Sequence, residues 1–291
     1  MTVTPSPTTA RGAYGLSLPE SPYQHLLNTG TESWPEWRIH LSGSDSADPR
    51  PPQMFDRDRG LLHLAPSGYA EIDRRSATTL VHQTPTPAAA AMIHPLLVST
   101  AVVHADWNGE LVFHGGSFLD RRGKAWGVVG SRESGKSSFL AWCAARGIGV
   151  VGDDAIVTDG DVIRAGPRCI DLRETAADHF GFGEDIGVVG TRRRWRHQVD
   201  PVPLSPPLAG FVALKFDDDA SAPGVEHVAV ERRAAVLTPH RGFIISQMFP
   251  IPWLKVITKP VLAFSRPRDW AAMDDSMGAL LDHIDGRGDV R

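Results

Sequence analysis

The 291-residue sequence has little cysteine and no strong excess of charge of either sign. Its two cysteines, Cys143 and Cys169, are too few for a disulfide framework and lack the spacing of metal ligands. The formal net charge is −4, so no general basic field favours nucleic acid as a partner. These scarcities predict a protein of a reducing cytoplasm that does not bind nucleic acid.

Long apolar runs are also missing, because no stretch of eighteen consecutive apolar residues occurs. The first fifteen residues have neither the basic nor the apolar region of a signal peptide. We therefore expect no membrane partner and a cytoplasmic location. The apolar share of 42% is nevertheless ordinary for a folded core that needs no disulfide bonds.

Composition along the chain predicts three parts. Residues 1–12 are rich in Thr, Pro and Ser and predict a mobile tail. Residues 13–85 predict a small antiparallel β-rich portion, with a polar proline-bearing loop over 43–53. Residues 86–291 predict the main domain, with a helix over 89–103, strands at 102–105 and 111–114, an exposed mobile loop over 181–196, a buried strand over 208–216 and helices over 244–248 and 269–284.

The most informative stretch is a complete phosphate-binding (Walker A) loop, G-x-x-x-x-G-K-[ST]. Gly130, Gly135, Lys136 and Ser137 supply its fixed positions. An apolar strand is predicted before the loop over 125–129, and a helix after it, ending near Gly147. Backbone amides and a helix N-terminus would then face phosphate oxygens, which distinguishes the motif from a chance glycine loop with a surface lysine.

A second short strand, over 148–151, delivers Asp153 and Asp154 at its end. Adjacent residues of an extended chain point to opposite sides, so one carboxylate can face a metal and the other an acceptor. Together with Lys136 for the phosphates and the Ser137 hydroxyl for Mg²⁺, this order predicts a site for ATP and Mg²⁺. The alternatives are a solvated Asp-Asp turn and, for Ser137, a plain helix cap.

Over residues 104–174 the chain resembles the HPr serine kinase family. The resemblance is carried by the stretches HGGSFLDRRGKAWGVVGSRESGKS and RGIGVVGDDAIV, in which His114-Gly115 stands about sixteen residues before Gly130. The family's later Glu-Ile-Arg-Gly signature is not reproduced, and residues 171–174 are its nearest counterpart. The chain is thus more similar to divergent relatives beside peptide biosynthesis genes than to kinases of the carrier protein HPr.

The resemblance implies an α/β fold, a P-loop kinase core of the HPr kinase type with a mixed sheet and flanking helices. It implies that Asp154 is the catalytic base and Asp153 the metal partner of Ser137, although the order of the two could reverse. It adds His114 and Lys136 as catalytic residues. The expected nucleotide-binding residues are the whole loop: Gly130, Ser131, Arg132, Glu133, Ser134, Gly135, Lys136, Ser137 and Ser138.

Other polar residues support several interpretations. The cluster Arg192, Arg193, Arg194 and Arg196 could neutralise the γ-phosphate, bind an acidic acceptor or be a solubilising surface loop. Arg173 is an alternative phosphate contact. The histidines at 94, 104 and 179 are interpreted as structural, since they lack the spacing of a zinc site.

The leading hypothesis is an ATP-dependent kinase that phosphorylates a hydroxyl, such as a serine or threonine of a peptide or protein. The alternatives are an ATP-binding regulatory or scaffolding module and a small-molecule hydroxyl kinase. No Asn-Lys-x-Asp motif supports GTP specificity. Reverse phosphorylase activity and a homo-oligomeric state are left open.

Overall fold

A computed structural model describes residues 11–30, 33–42, 51–64, 67–83, 86–242 and 249–286. Three predictions fall wholly or mostly on other residues. They are the tail over 1–12, the polar loop over 43–53 and the helix over 244–248, and their residues 1–10, 43–50 and 244–248 lie outside the described part of the chain.

The chain before residue 83 forms two small sheets. Their strands are β1 (Arg11–Ala13), β2 (Leu16–Ser17), β3 (Asn28–Thr29), β4 (Arg38–Ser42), β5 (Met54–Phe55), β6 (Arg59–His63), β7 (Tyr69–Asp73) and β8 (Thr78–His82). The orders are β2-β1-β3 and β4-β8-β7-β6-β5. Buried residues alternate along β6, β7 and β8, as a half-exposed sheet requires. This portion is β-rich as predicted, but β4 runs parallel to β8, so it is not wholly antiparallel.

A helical segment connects these sheets to the main sheet. It begins with a 3-10 turn, Ala89–Met92, and a wide turn, Ile93–Leu97, and continues as α1 (Val98–Trp107). His94 has extended backbone angles, which the following Pro95 favours because a residue before proline avoids the helical region. The predicted strand over 102–105 is wrong, since these residues lie inside α1. Val102 and Val103 favour a strand locally, but the helix is buried almost all round.

The segment Ala89–Trp107 is long and apolar enough to cross a membrane, with a mean hydropathy of 1.3. It meets this test by length and composition alone, so the expectation of no membrane partner stays a prediction. However, 72% of its most apolar stretch is buried inside the molecule, as in a core helix of a globular fold. α1 shares one hydrophobic cluster with residues on both sides of position 85, among them Ile72, Val81 and Val157. A boundary at residue 85 stays a prediction.

The rest of the chain contains further strands and helices. In chain order they are β9 (Leu111–Leu119), β10 (Ala125–Gly130), α2 (Lys136–Ala145), β11 (Val150–Gly152), β12 (Ala155–Thr158), β13 (Ile163–Arg164), β14 (Cys169–Leu172), α3 (Glu174–Phe180), β15 (Glu184–Val189), β16 (Arg192–Gln198), β17 (Leu208–Phe216), β18 (Gly224–His227), α4 (Val230–Leu237), a 3-10 turn (Thr238–His240), α5 (Pro250–Thr258), β19 (Val261–Arg266) and α6 (Met273–Ile284).

The main sheet has the order β13-β12-β9-β10-β17-β19-β18, and β11 also pairs with β9. β10, β17 and β19 are parallel to one another, whereas β9 is antiparallel to β10. Every residue of β10 is buried, because clusters of apolar side chains cover both faces of the sheet. The strands predicted at 111–114, 125–129 and 208–216 are present, and the result is a mixed α/β fold.

A separate three-stranded sheet has the order β14-β16-β15. Residues 184–198, named the arginine hairpin from here on, are two strands of this sheet, so the predicted exposed loop over 181–196 is wrong. Arg192, Arg194 and Arg196 alternate with Arg193 and Trp195 along β16. Such alternation is the period of a strand, and it places the two sets on opposite faces.

Candidate functional site

The phosphate-binding loop joins β10 to α2 at one edge of the main sheet. Gly135 has φ of +87°, a left-handed conformation that glycine adopts without steric cost. A side chain at Gly130 would press against the carbonyl of Leu214 on the neighbouring β17. The Lys136 ammonium donates to the carbonyls of Gly130 (2.9 Å) and Ser131 (3.0 Å), which holds its charge at the mouth of the loop.

Ser137 and Asp153 meet at the foot of the loop. The Ser137 hydroxyl lies 3.3 and 3.4 Å from the two carboxylate oxygens of Asp153. Asp153 is only 3% exposed, and burial together with the neighbouring charge of Asp154 raises its pKa to about 6. A hydroxyl and a carboxylate at this spacing are the hard oxygen ligands that Mg²⁺ takes beside a triphosphate, so these residues fit that ion.

Asp154 follows directly and interrupts the path from β11 to β12. Its φ is +70°, and its carbonyl accepts a hydrogen bond from the Gly115 amide at 3.2 Å. His114 Nδ1 lies 3.2 Å from the same carbonyl oxygen. The Asp154 side chain is half-buried and His114 is exposed, and both line the same cleft. The paired aspartates thus present one buried and one accessible carboxylate.

Glu133 connects the loop to the arginine hairpin. Its carboxylate accepts a hydrogen bond from Arg173 Nη2 at 3.0 Å and lies 3.6 Å from Arg192 Nη1. Arg194 lines the cleft on the same face of β16 and forms no ion pair with the described residues. Arg193 instead bonds to Asp185 on the other face. The predicted arginine cluster is therefore divided between the cleft and the outer surface.

A buried ion pair lies behind Asp153. Arg196 Nε and Nη2 each donate to Asp171 at 2.7 Å, and Arg196 Nη1 donates to the carbonyl of Ala90 at 3.1 Å. Burial alone would raise the pKa of Asp171, but the hydrogen bond from Arg196 and the adjacent His94 outweigh it and hold that pKa below its usual range. The Asp171 amide also donates to Asp153 at 3.3 Å. The ion pair thus fixes the backbone that positions Asp153.

His94, Cys169 and Asp171 place their ligand atoms within 4.8 Å of one another. Both carboxylate oxygens of Asp171 already accept from Arg196. Burial raises the pKa of the Cys169 thiol well above its usual value, which disfavours the thiolate that a metal needs. The cluster is therefore better explained as part of the structural ion-pair network, in line with the interpretation of His94 as structural.

Arg266 is a site residue that was missed from the sequence. It ends β19, is 4% exposed and lies against Gly135, where an added Cβ would overlap its Nη2. Its guanidinium carbon stands 4.4 Å from the centre of the Phe216 ring. A signal existed, because Arg266 follows the apolar run 261–264, and carboxyl ends of parallel strands gather binding residues at one edge.

The cleft around the loop has a volume of about 740 Å³. Its wall also includes two aromatic side chains, Phe216 and Trp270, and Trp270 is stacked on His179 at 4.2 Å. Seven cationic side chains line it: Arg132, Lys136, Arg173, Arg192, Arg194, Arg266 and Arg268. Five carboxylates face them: Glu133, Asp153, Asp154, Asp171 and Asp269. A cleft with this lining suits a polyanion that carries a planar group.

The structure brings most residues predicted for the site together. His114, Asp153 and Asp154 line the cleft with five side chains of the loop and with Gly135: Arg132, Glu133, Lys136, Ser137 and Ser138. Ser131 contributes its carbonyl to Lys136, while Ser134 is buried beneath the loop. The roles of these residues stay predictions.

No known protein family matches the chain, and no curated protein matches it. Among solved structures it is similar to the Hpr(Ser) kinase/phosphatase from Coxiella burnetii, with a TM-score of 0.31 and 13% sequence identity. That match covers 61% of this chain and 99% of the other. Similarity at this level leaves family membership open, so the function has to follow from the side chains of the cleft.

Proposed function

We propose that the chain is an ATP- and Mg²⁺-dependent phosphotransferase that phosphorylates a hydroxyl group. The observation that carries the proposal is the arrangement of three side chains at one loop. Ser137 and the buried Asp153 lie 3.3 Å apart at its foot, and the accessible Asp154 comes one residue later. A metal-holding pair and a free carboxylate beside a phosphate-binding loop are the parts of in-line phosphoryl transfer.

Each residue has a distinct task in this proposal. The loop amides and Lys136 bind the phosphate chain, and Ser137 with Asp153 hold Mg²⁺, which neutralises charge that develops during transfer. Asp154 accepts the acceptor's proton as the new oxygen–phosphorus bond forms and the bond to ADP breaks. His114, beside the Asp154 carbonyl, lines the approach of the acceptor. Burial of Asp153 supports its assignment as the metal ligand and that of Asp154 as the base.

The acceptor is proposed to be a serine or threonine of a peptide or protein, on the strength of the sequence resemblance. A small-molecule hydroxyl is the alternative acceptor. The cleft extends beyond Asp154 to the arginine hairpin and to Trp270, which is 39% exposed. On this side of the cleft lies Arg194, which forms no ion pair with any described residue and is therefore free to contact the substrate.

Transfer of labelled γ-phosphate from ATP to candidate peptides and small hydroxyl compounds tests the proposal. Wild-type protein with Mg²⁺ should give a labelled product, Lys136→Ala should lose nucleotide binding, and Asp154→Asn should bind ATP but transfer at least about a hundredfold more slowly. Asp185→Asn, on the outer face of the arginine hairpin, is the matched control. Normal transfer by Asp154→Asn would refute the base assignment. Tight ATP binding without any product would favour a regulatory module.

A further inference from the structure

Arg266 is a buried cation with no counter-charge among the residues that the structure describes. It is 4% exposed, its Nε has no hydrogen-bond partner, and it makes no ion pair with the residues described. Burial, and to a lesser degree Arg268, lowers its pKa to about 10, so it still carries its charge at neutral pH. Burying a charge without a partner is costly, and native proteins keep such groups where a ligand supplies the partner.

The position of Arg266 relative to the loop follows from strand pairing. β19 pairs with β17, and β17 pairs with β10, all in parallel. In this register Gly130 pairs with Leu214, while Arg266 pairs with Phe216, two residues further toward the carboxyl edge. Asp153 reaches the loop from the other side of β10, through strands paired to β9. Arg266 and Asp153 therefore flank the loop from opposite sides.

The orientation of the guanidinium is fixed by its neighbours. Phe216 stacks under it at 4.4 Å, and Gly135 leaves the space that a side chain would fill. Arg268 lies 4.3 Å from the same ring, but it is exposed and its Nε stands 3.5 Å from Asp218. Of these two arginines, Arg266 lies against the loop and forms no ion pair with the described residues, whereas Arg268 does form one.

We propose that Arg266 binds anionic oxygens of the nucleotide's phosphate chain from the flank of the loop opposite Asp153. The inference rests on the nucleotide site of the proposed function and adds a cation that the loop motif does not contain. Arginine suits this task because its planar group offers several donors to phosphate oxygens in fixed directions. Arg266, Lys136 and the bound Mg²⁺ would together neutralise the negative charge of the phosphates.

The test compares Arg266→Met and Arg266→Lys with Arg233→Met. Arg233 is a structural arginine that donates to the carbonyls of Val228 and Thr258. Affinities for MgATP, MgADP and inorganic pyrophosphate are measured by calorimetry, and thermal unfolding is followed without ligand. Arg266→Met should bind these phosphates about 10- to 100-fold more weakly, Arg266→Lys less so, and Arg233→Met as the wild type does.

The thermal unfolding measurement distinguishes two roles of Arg266, the binding of an anion and the structural support of Phe216. Arg266→Met should unfold at the wild-type temperature or above it, because an uncompensated buried charge is removed. Wild-type phosphate affinity in Arg266→Met would overturn the inference. So would a lower unfolding temperature of Arg266→Met if its phosphate affinity fell no more than that of Arg233→Met. If the wild type binds pyrophosphate through Arg266 but never transfers phosphate, the proposed function fails while this inference stands.

Discussion

Asp153 and Asp154 are neighbours in the chain, yet their carboxylates meet different surroundings. Asp153 is enclosed with Ser137 and the amide of Asp171, while Asp154 lines the cleft beside His114. The left-handed backbone at Asp154 creates this divergence by turning the chain between β11 and β12. The proposed division of work between a metal ligand and a base thus depends on one backbone angle.

The raised pKa of Asp153 predicts that the ionised carboxylate lowers the free energy of unfolding at neutral pH. Unfolded, this carboxyl ionises near its ordinary value of 3.8; folded, burial and Asp154 raise its pKa to about 6. Between these values the folded chain keeps a proton that the unfolded chain has released, so the free energy of unfolding falls as pH rises. Asp153→Asn should therefore be more stable than wild type at pH 8, by up to about 3 kcal/mol.

Denaturant unfolding at several pH values checks this prediction. The advantage of Asp153→Asn should shrink as pH falls through 6 and vanish only below about pH 3, where the folded and the unfolded carboxyl are both protonated. The variant should also lose Mg²⁺-dependent transfer. An advantage that is unchanged between pH 4 and 8 would contradict an origin in ionisation of Asp153.

Glu133 places a negative charge inside the loop that is proposed to bind phosphate. Its side chain is 52% exposed and shared by Arg173 and Arg192, so Glu133→Gln should change the free energy of unfolding by less than about 0.5 kcal/mol. Removing the charge should nevertheless tighten MgATP binding by roughly threefold, because repulsion falls and two arginines are released. Calorimetry with Glu226→Gln, an exposed glutamate on β18, is the control. Weaker MgATP binding by Glu133→Gln would instead show that the ion pairs of Glu133 with Arg173 and Arg192 hold the loop in the conformation that binds the nucleotide.

At the scale of elements, the three-stranded sheet depends on one buried ion pair. Asp171 of β14 and Arg196 of β16 are paired in register and joined by two hydrogen bonds. Arg196→Met leaves the buried Asp171 carboxylate beside His94 but without its arginine partner, and should lower the free energy of unfolding by about 3–5 kcal/mol. The double variant Asp171→Asn/Arg196→Met, measured in the same denaturant series, should recover much of that loss. No recovery would mean that packing of Arg196 matters more than its charge.

Local signals predicted the elements that depend on local sequence. The phosphate-binding loop and its flanking strand and helix follow from glycines, apolar runs and caps within about ten residues. The arginine hairpin was missed because its glycines and arginines have the composition of a solvated loop, although Arg192 and Arg194 line the cleft. Arg266 was missed because its place beside Gly135 results from the pairing of β17 with β19, which lie about fifty residues apart in sequence.

At the scale of the molecule, the first strands reach the candidate site. The Tyr14 hydroxyl donates to the carbonyl of Asp153 at 3.1 Å, and the Asn28 amide donates to the carbonyl of Gly166 at 2.7 Å. Tyr14 is 2% exposed, and its backbone amide also bonds to Ala165. The N-terminal portion therefore supports the backbone that carries the two aspartates.

Tyr14→Phe tests this support. Loss of one buried hydrogen bond should lower the free energy of unfolding by about 1 kcal/mol and slow phosphate transfer severalfold, with little change in MgATP affinity. Trp37→Phe removes another buried hydrogen bond of the N-terminal portion, from Nε1 to Thr79, far in sequence from the aspartates. The rate of phosphate transfer by Trp37→Phe should stay at the wild-type value. Equal slowing in both variants would point to general destabilisation.

The charges that line the cleft have a further consequence for how fast a substrate arrives. Seven cations against five carboxylates sit in one concave region of a chain whose net charge is −4, so the rest of the surface is correspondingly more acidic. Such a field repels polyanions elsewhere and guides them toward the cleft, which can raise association rates by an order of magnitude or more at low ionic strength. Added salt should then lower the association rate of the proposed nucleotide more than it raises the dissociation rate.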